Sequence, residues 1–293
     1  LKGVGILLML FHHCYRTADK YAGYNIIFTP FAEEWIIEIG SYAKICVSIF
    51  AFVSGYGLMY GFENLKNREN PTVITKWIAK HIISLMSSFC FIAPIAYLLS
   101  AIIRHNNFSK WGESIIEKVG TIAIDCMGIS GILNTKSLNG TWWYMGTAIV
   151  FVVLIPILVK MLENIGTLGC ILVLVFFPRV LALGFLGGTN AYSFLLILFV
   201  GMLFCKFDAF NIIDQWKIGR NDIDDKTIKF MLILLLLIWG IWSCEKVELS
   251  VFWEYKYVLV PIVVILFSVE YLFQNTYIKV FLAFLGKHST NIW

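Results

Sequence analysis

The feature that most limits what this chain can fold into is its succession of long, nearly charge-free apolar runs. They fall at residues 1–15, 36–62, 78–103, 142–162, 167–187, 190–206, 227–244 and 255–274, with a weaker one near 117–133 and another beginning at "STNIW". A helix needs about 20 apolar residues to cross roughly 30 Å of hydrocarbon. These runs are too long and too uniformly apolar to be the alternating strands of a barrel. Composition agrees, with 59% hydrophobic and 14% charged residues. Soluble domains carry about 25% charged residues, so this chain has too few polar groups to cover a water-facing surface. The expected fold is therefore all-α, a polytopic transmembrane helical bundle of about nine to ten helices. No polar or Pro/Gly/Ser-rich linker separates the apolar blocks, so residues 1–293 read as a single integral-membrane domain. The start at Leu1 and the stop at Trp293 in mid-pattern read as cut ends.

The net charge of +4 is small and distributed, and no basic run with interleaved aromatics points to nucleic acid. Of the seven cysteines none forms a CxxC pair, which argues against both a zinc site and a disulfide framework, and no metal is expected. The basic loops "ENLKNRENPTVITKWIAKH" and "KFDAFNIIDQWKIGRNDIDDKTIK" both belong on the cytoplasmic side. They share that side if residues 104–141 stay outside, with 117–133 dipping in as a re-entrant or interfacial helix. If 117–133 spans, the second basic loop lands outside. Either way the N-terminus is cytoplasmic.

The opening stretch "LKGVGILLMLFHHCYR" places ionisable groups where a plain span needs none. Lys2 and His13 are eleven residues apart, a rotation of about 1100° that leaves them roughly 20° from alignment and about 16 Å apart along the axis. They share a stripe with Ile6 and Met9, while His12 points about 100° away. Ionisable groups at membrane depth usually face a bundle interior or a wet cavity. A neutral imidazole suits a general base acting on a hydroxyl near pH 7, and a lysine at the mouth of the same stripe suits an anionic ligand. The other reading is that "HHCYR" marks the outer interface.

"LKGVGILLMLFHH" resembles the first transmembrane helix of the integral-membrane acyltransferase 3 family, which begins with a basic residue and carries a histidine ten intervening residues later. "KICVSIFAFVSGYGL" is similar to that family's second helix, "NGTWWYMGTAIVFVVLIPIL" to its Trp-rich helix entry, and "LGKHSTNIW" to the lead-in to its last helix. The resemblance implies transfer of an acyl group, commonly acetyl, from cytoplasmic acyl-CoA (acetyl-CoA) to a hydroxyl of a cell-surface or exported glycan. It implies His13 as the base and Lys2 in place of the family's arginine at the donor side, in a bacterial plasma membrane. Where the family has a basic RxxR-like motif, this chain has "TKWIAKHII". Lys76 and Lys80 share a face there and suit CoA phosphates as point charges, or else they are ordinary positive-inside lysines. An acyl-histidine intermediate and direct transfer both remain open.

Ser54, Gly55 and Gly57 most simply let helices approach closely, with Ser54 and Tyr56 as candidate substrate contacts. Trp142, Trp143 and Tyr144 read most economically as an interfacial belt, with Trp142 and Trp143 also able to stack on a sugar. Lys44 either snorkels or faces a wet pocket. The rival from another class is a transporter or flippase of lipid-linked glycan, which needs buried cations and a wet cavity but no base.

Overall fold

The computed structural model describes residues 1–105, 108–180, 190–244 and 255–288, and these contain helices and no strand. In chain order the helices are α1 (Lys2–Tyr15), α2 (Glu33–Tyr42), α3 (Cys46–Glu63), α4 (Pro71–Ile103), α5 (Ile115–Cys126), α6 (Ser130–Leu133) and α7 (Trp143–Val180). They continue with α8 (Leu195–Lys206), α9 (Ala209–Gln215), α10 (Asp222–Cys244), α11 (Val260–Glu270) and α12 (Thr276–Lys287).

Among the described residues four stretches are long and apolar enough to cross a membrane: Glu33–Glu63, Pro71–Ile103, Trp143–Val180 and Lys256–Gln274. The stretch Ala191–Lys206 and α9 meet at a 66° bend and make a fifth if they form one broken span. The all-α membrane class is therefore what the chain adopts. These counts are of the described residues, and the apolar run 227–244 lies in the 23-residue α10. The run 1–15 folds as α1, Lys2–Tyr15. The "STNIW" run and the end of the 167–187 run lie outside the described residues. The two runs 142–162 and 167–187 join as α7, broken at Gly166 by φ 69° and ψ 178°, a conformation that costs glycine little.

The chain divides into two compact units, one from Leu1–Gly57 with Leu196–Trp293 and the other from Leu58–Leu195. In the first unit α1 packs against α2 and α12, and α10 against α11. Close backbone crossings set its geometry. A Cβ on Gly55 of α3 would fall on the Leu198 carbonyl of α8, and one on Gly201 would fall on the Phe52 carbonyl. Gly55 is thus the close-approach residue that small side chains in membranes imply, whereas Gly57 has open space around it.

In the second unit α4 starts at Asn70, whose side chain accepts the Thr72 N–H at 2.9 Å, with Pro71 at the first helical position. Arg68 pairs with Glu163 at 3.6 Å, which places the Gly166 break at the same end of the unit as the first basic loop. At the other end Trp142 packs on Phe89 and Tyr97 of α4. The intervening segment is capped over that end. Its α5 starts with a reciprocal capping box between Ser114 and Glu117, and its 12 residues rise ~18 Å, too short to cross hydrocarbon as a straight helix. A buried carboxylate anchors it, Asp125 accepting from the Tyr97 hydroxyl at 2.7 Å and from the Leu138 N–H at 2.8 Å. The non-spanning alternative for 117–133 is the one this geometry favours.

Candidate functional site

Helix α1 carries the histidine pair, and its two histidines stand in opposite environments. His12 is buried, with Nδ1 2.8 Å from the Gly40 carbonyl of α2. A carbonyl only accepts, so Nδ1 carries the proton and donates, which leaves the Nε2 lone pair as the ring's acceptor. That bond forms because α1 and α2 lie very close: a Cβ on Gly40 would meet the Tyr15 backbone. His13 is exposed, its ring 5.2 Å from that of His12 in an edge-on arrangement. Along the expected stripe the two middle residues, Ile6 and Met9, are packed inside, while the two ends, Lys2 and His13, are open. The stripe is thus a packed helix seam with a cation at one accessible end and an imidazole at the other.

The Lys2 end opens onto a cavity of about 550 Å³ within the first unit. Its walls include Phe52 and Tyr56 of α3, Phe210 of α9 and Lys279 of α12. The aromatic rings form a wall of their own, with Phe210 6.2 Å from Phe52 and 6.0 Å from Tyr56. Lys2 and Lys279 carry the two charged side chains of the lining, and both are exposed. Sequence reasoning missed Lys279, because one lysine in a short amphipathic stretch near the chain end gives no spacing signal. Tyr56 lies in the cavity wall and Ser54 is not part of that lining; both are half-buried.

Lys76 and Lys80 stand exposed on the first turns of α4 in the second unit. Between them Trp77 is buried, packing edge-on against Phe62 at 5.3 Å and close to the His81 ring at 4.2 Å. His81 Nδ1 lies 2.9 Å from the Trp77 carbonyl. The departure from the family-like basic motif therefore has a structural use, since the tryptophan is a packing residue.

The tryptophans at the start of α7 do not form one belt. Trp142 is buried in a cluster with Ala93 and Tyr97, so both the belt and an open sugar-stacking face fail to describe its position. Trp143 is half-buried, stacked on Phe194 with ring centres 6.0 Å apart. Elsewhere in the first unit Lys44 is half-buried, and Lys256 is buried with its ammonium 5.1 Å from the centre of the Tyr42 ring. That contact has the geometry of a cation–π interaction, which keeps a lysine acceptable in apolar surroundings.

The second basic loop is locked by local charge. Asp225 accepts from the Ile218 and Gly219 N–H groups at 2.6 and 3.2 Å and pairs with Lys229 at 3.0 Å. The Ile218 N–H, then Lys229, holds its carboxyl down at about 2.

Comparison with known proteins adds one finding. The family model described as an acyltransferase domain, of the acyltransferase 3 family, matches residues 1–293, the whole chain. The chain belongs to that family; it is an integral membrane acyltransferase. No curated protein and no solved structure matches it.

Proposed function

We propose that this protein moves an acyl group, acetyl in the simplest case, from cytoplasmic acyl-CoA to a hydroxyl of a cell-surface or exported glycan, in a bacterial plasma membrane. The observation that carries the reading is the family match over the whole chain, together with the pairing on α1 of an accessible cation with an accessible imidazole.

His13 is the base in this reading. A base must reach the proton it removes, and of the two histidines His13 is the exposed one, whereas the Nδ1 of His12 is held by Gly40 in the α1–α2 contact. His12 then acts by position: it fixes the C-terminal end of α1 through Gly40, with its ring 5.2 Å from that of His13. In the reaction the acceptor hydroxyl attacks the thioester carbonyl as His13 takes its proton. The new C–O bond forms, the C–S bond breaks, and the proton passes to the departing CoA thiolate. Lys2, some 16 Å away along the helix axis, holds the donor's anionic end while the extended pantetheine arm reaches toward the histidine. Lys76 and Lys80 keep the donor-phosphate role that the resemblance gives them. Trp143 and Tyr56 are the retained candidates for acceptor and donor contact, and Ser54 follows the cavity-lining Val53 in sequence.

The test uses membranes holding the full chain, acetyl-CoA and an envelope-glycan acceptor, with acceptor-dependent release of free CoA as the readout. His13→Ala should abolish release at unchanged protein level, and His12→Ala should reduce it through loss of folded protein. If His13→Ala releases CoA as wild type does, His13 is not the base. If the wild type releases none over a range of donors and acceptors, movement of lipid-linked glycan without chemistry becomes the better reading.

A further inference from the structure

The cavity at the start of α1 has a composition that selects its ligand. Apart from Tyr56 and two lysines, its described walls are backbone, aliphatic and aromatic groups, and its two charged side chains have the same sign. Two exposed lysines on the lining of one mostly apolar cavity favour an anion there over a cation. Their placement is built into the packing rather than left to flexible loops. A Cβ on Gly3 would fall on the Leu282 carbonyl, and Gly286 lies against the Lys2 backbone, so α12 rests directly on the first turn of α1. On α12 Lys279 shares the cavity-facing side with Leu282 and Gly286, three and seven residues on, which is one face of a helix. The cavity of about 550 Å³ falls inside the range of roughly 300–1,000 Å³ common for small-molecule sites.

We propose that this cavity receives the phosphate-bearing end of the acyl donor, and that Lys279 is its second phosphate-binding residue beside Lys2. The inference rests on the acyl-transfer reading and adds to it a residue and a pocket. The ligand class is an amphipathic phosphate ester, a phosphate head on a largely neutral arm. CoA and an anionic lipid head share that chemistry. The donor is the occupant because Phe210 in the cavity wall belongs to the second basic loop. That loop and Lys2 both lie on the side that positive charge assigns to the cytoplasm, where acyl-CoA is found. The apolar walls then face the arm, and the two exposed lysines face the phosphates.

The experiment measures equilibrium binding to the full chain in nanodiscs of neutral lipid, with three probes: CoA, pantetheine lacking the phosphates, and short-chain phosphatidic acid. Lys279→Ala should weaken CoA binding about tenfold, as expected for one lost charge-assisted contact, and leave pantetheine binding unchanged; Lys279→Arg should restore CoA. CoA binding unchanged in Lys279→Ala would overturn the proposal while leaving the acyl-CoA reading intact. Equal loss of CoA and pantetheine would also overturn it, because the lysine would then be holding the fold. Loss of phosphatidic acid binding with CoA binding kept would assign the cavity to lipid instead. A wild type that binds no CoA would refute the acyl-CoA reading itself.

Discussion

Replacing Asp125 with alanine should loosen the segment that covers one end of the second unit. The side chain is fully buried, and its Oδ2 accepts from the Tyr97 hydroxyl at 2.7 Å and the Leu138 N–H at 2.8 Å. The Tyr97 oxygen in turn accepts from the Trp111 indole N–H at 3.0 Å. One carboxylate thereby ties together α4, α5, the turn at Ser109–Trp111 and the approach to α7. Hydrogen bonds to a charged group contribute about 1.5–3 kcal/mol each, and orphaned buried donors cost about 1–3 kcal/mol. These are net mutational values that already include the desolvation of the carboxylate, so the loss of two such bonds should cost about 3 kcal/mol. Asp125→Asn can keep both bonds on its amide oxygen but loses their charge and buries an amide NH2 where Oδ1 has no partner, and should cost about half as much. Tyr97→Phe removes the middle of the chain and should cost about 2 kcal/mol. Because the two residues touch, the double variant should fall short of additivity by at least ~1 kcal/mol. Unfolding in mixed micelles, followed by tryptophan fluorescence, reads all four proteins, with Trp111 and Trp142 near the site as local reporters. A cost for Asp125→Ala below ~0.5 kcal/mol, or full additivity with Tyr97→Phe, would refute the view that this carboxylate holds the segment.

Three further outcomes are expected. His12→Ala should lower the melting temperature in detergent, since it leaves the buried Gly40 carbonyl without its donor at a cost of about 1–3 kcal/mol. His13→Ala, altering an exposed ring, should leave melting unchanged while removing activity, and the reverse pattern would exchange their roles. Gly55→Leu should fail to reach the folded state or lose several kcal/mol by overpacking, because its first side-chain atom falls on the Leu198 carbonyl; Gly57→Ala, with open space, should be near neutral in the same melt. Asp225 has a depressed carboxyl, so its stabilisation of the second basic loop is complete above its ordinary value near 3.8 and is lost as pH falls toward about 2. Acid-protease cleavage of residues 206–229 should therefore rise steeply between these limits, and Asp225→Asn should show the raised cleavage already at the upper one.

The apolar runs determined by themselves that the chain is an all-helical membrane protein, because hydrocarbon offers no partner to an open backbone and leaves the helix as the solution for such segments. The same pattern placed the interruption at residues 163–166 between two runs, which is where α7 breaks at Gly166. The order of family-like stretches was also legible locally, and the whole-chain family match agrees with it. Periodicity relates residues only along one helix, so it could align Lys2 with His13 but not decide which histidine is buried. That depended on α2 coming close enough for the Gly40 carbonyl to claim the His12 ring. For the same reason Trp142 read as a belt residue until α4 supplied Phe89 and Tyr97 to cover it. Lys279 stands 277 positions from Lys2, and no spacing rule joins residues so far apart. Only the glycine-to-backbone contact of α12 with α1 brings both ammonium groups to one cavity, because close helix approach is a property of two surfaces together and is written in neither segment alone.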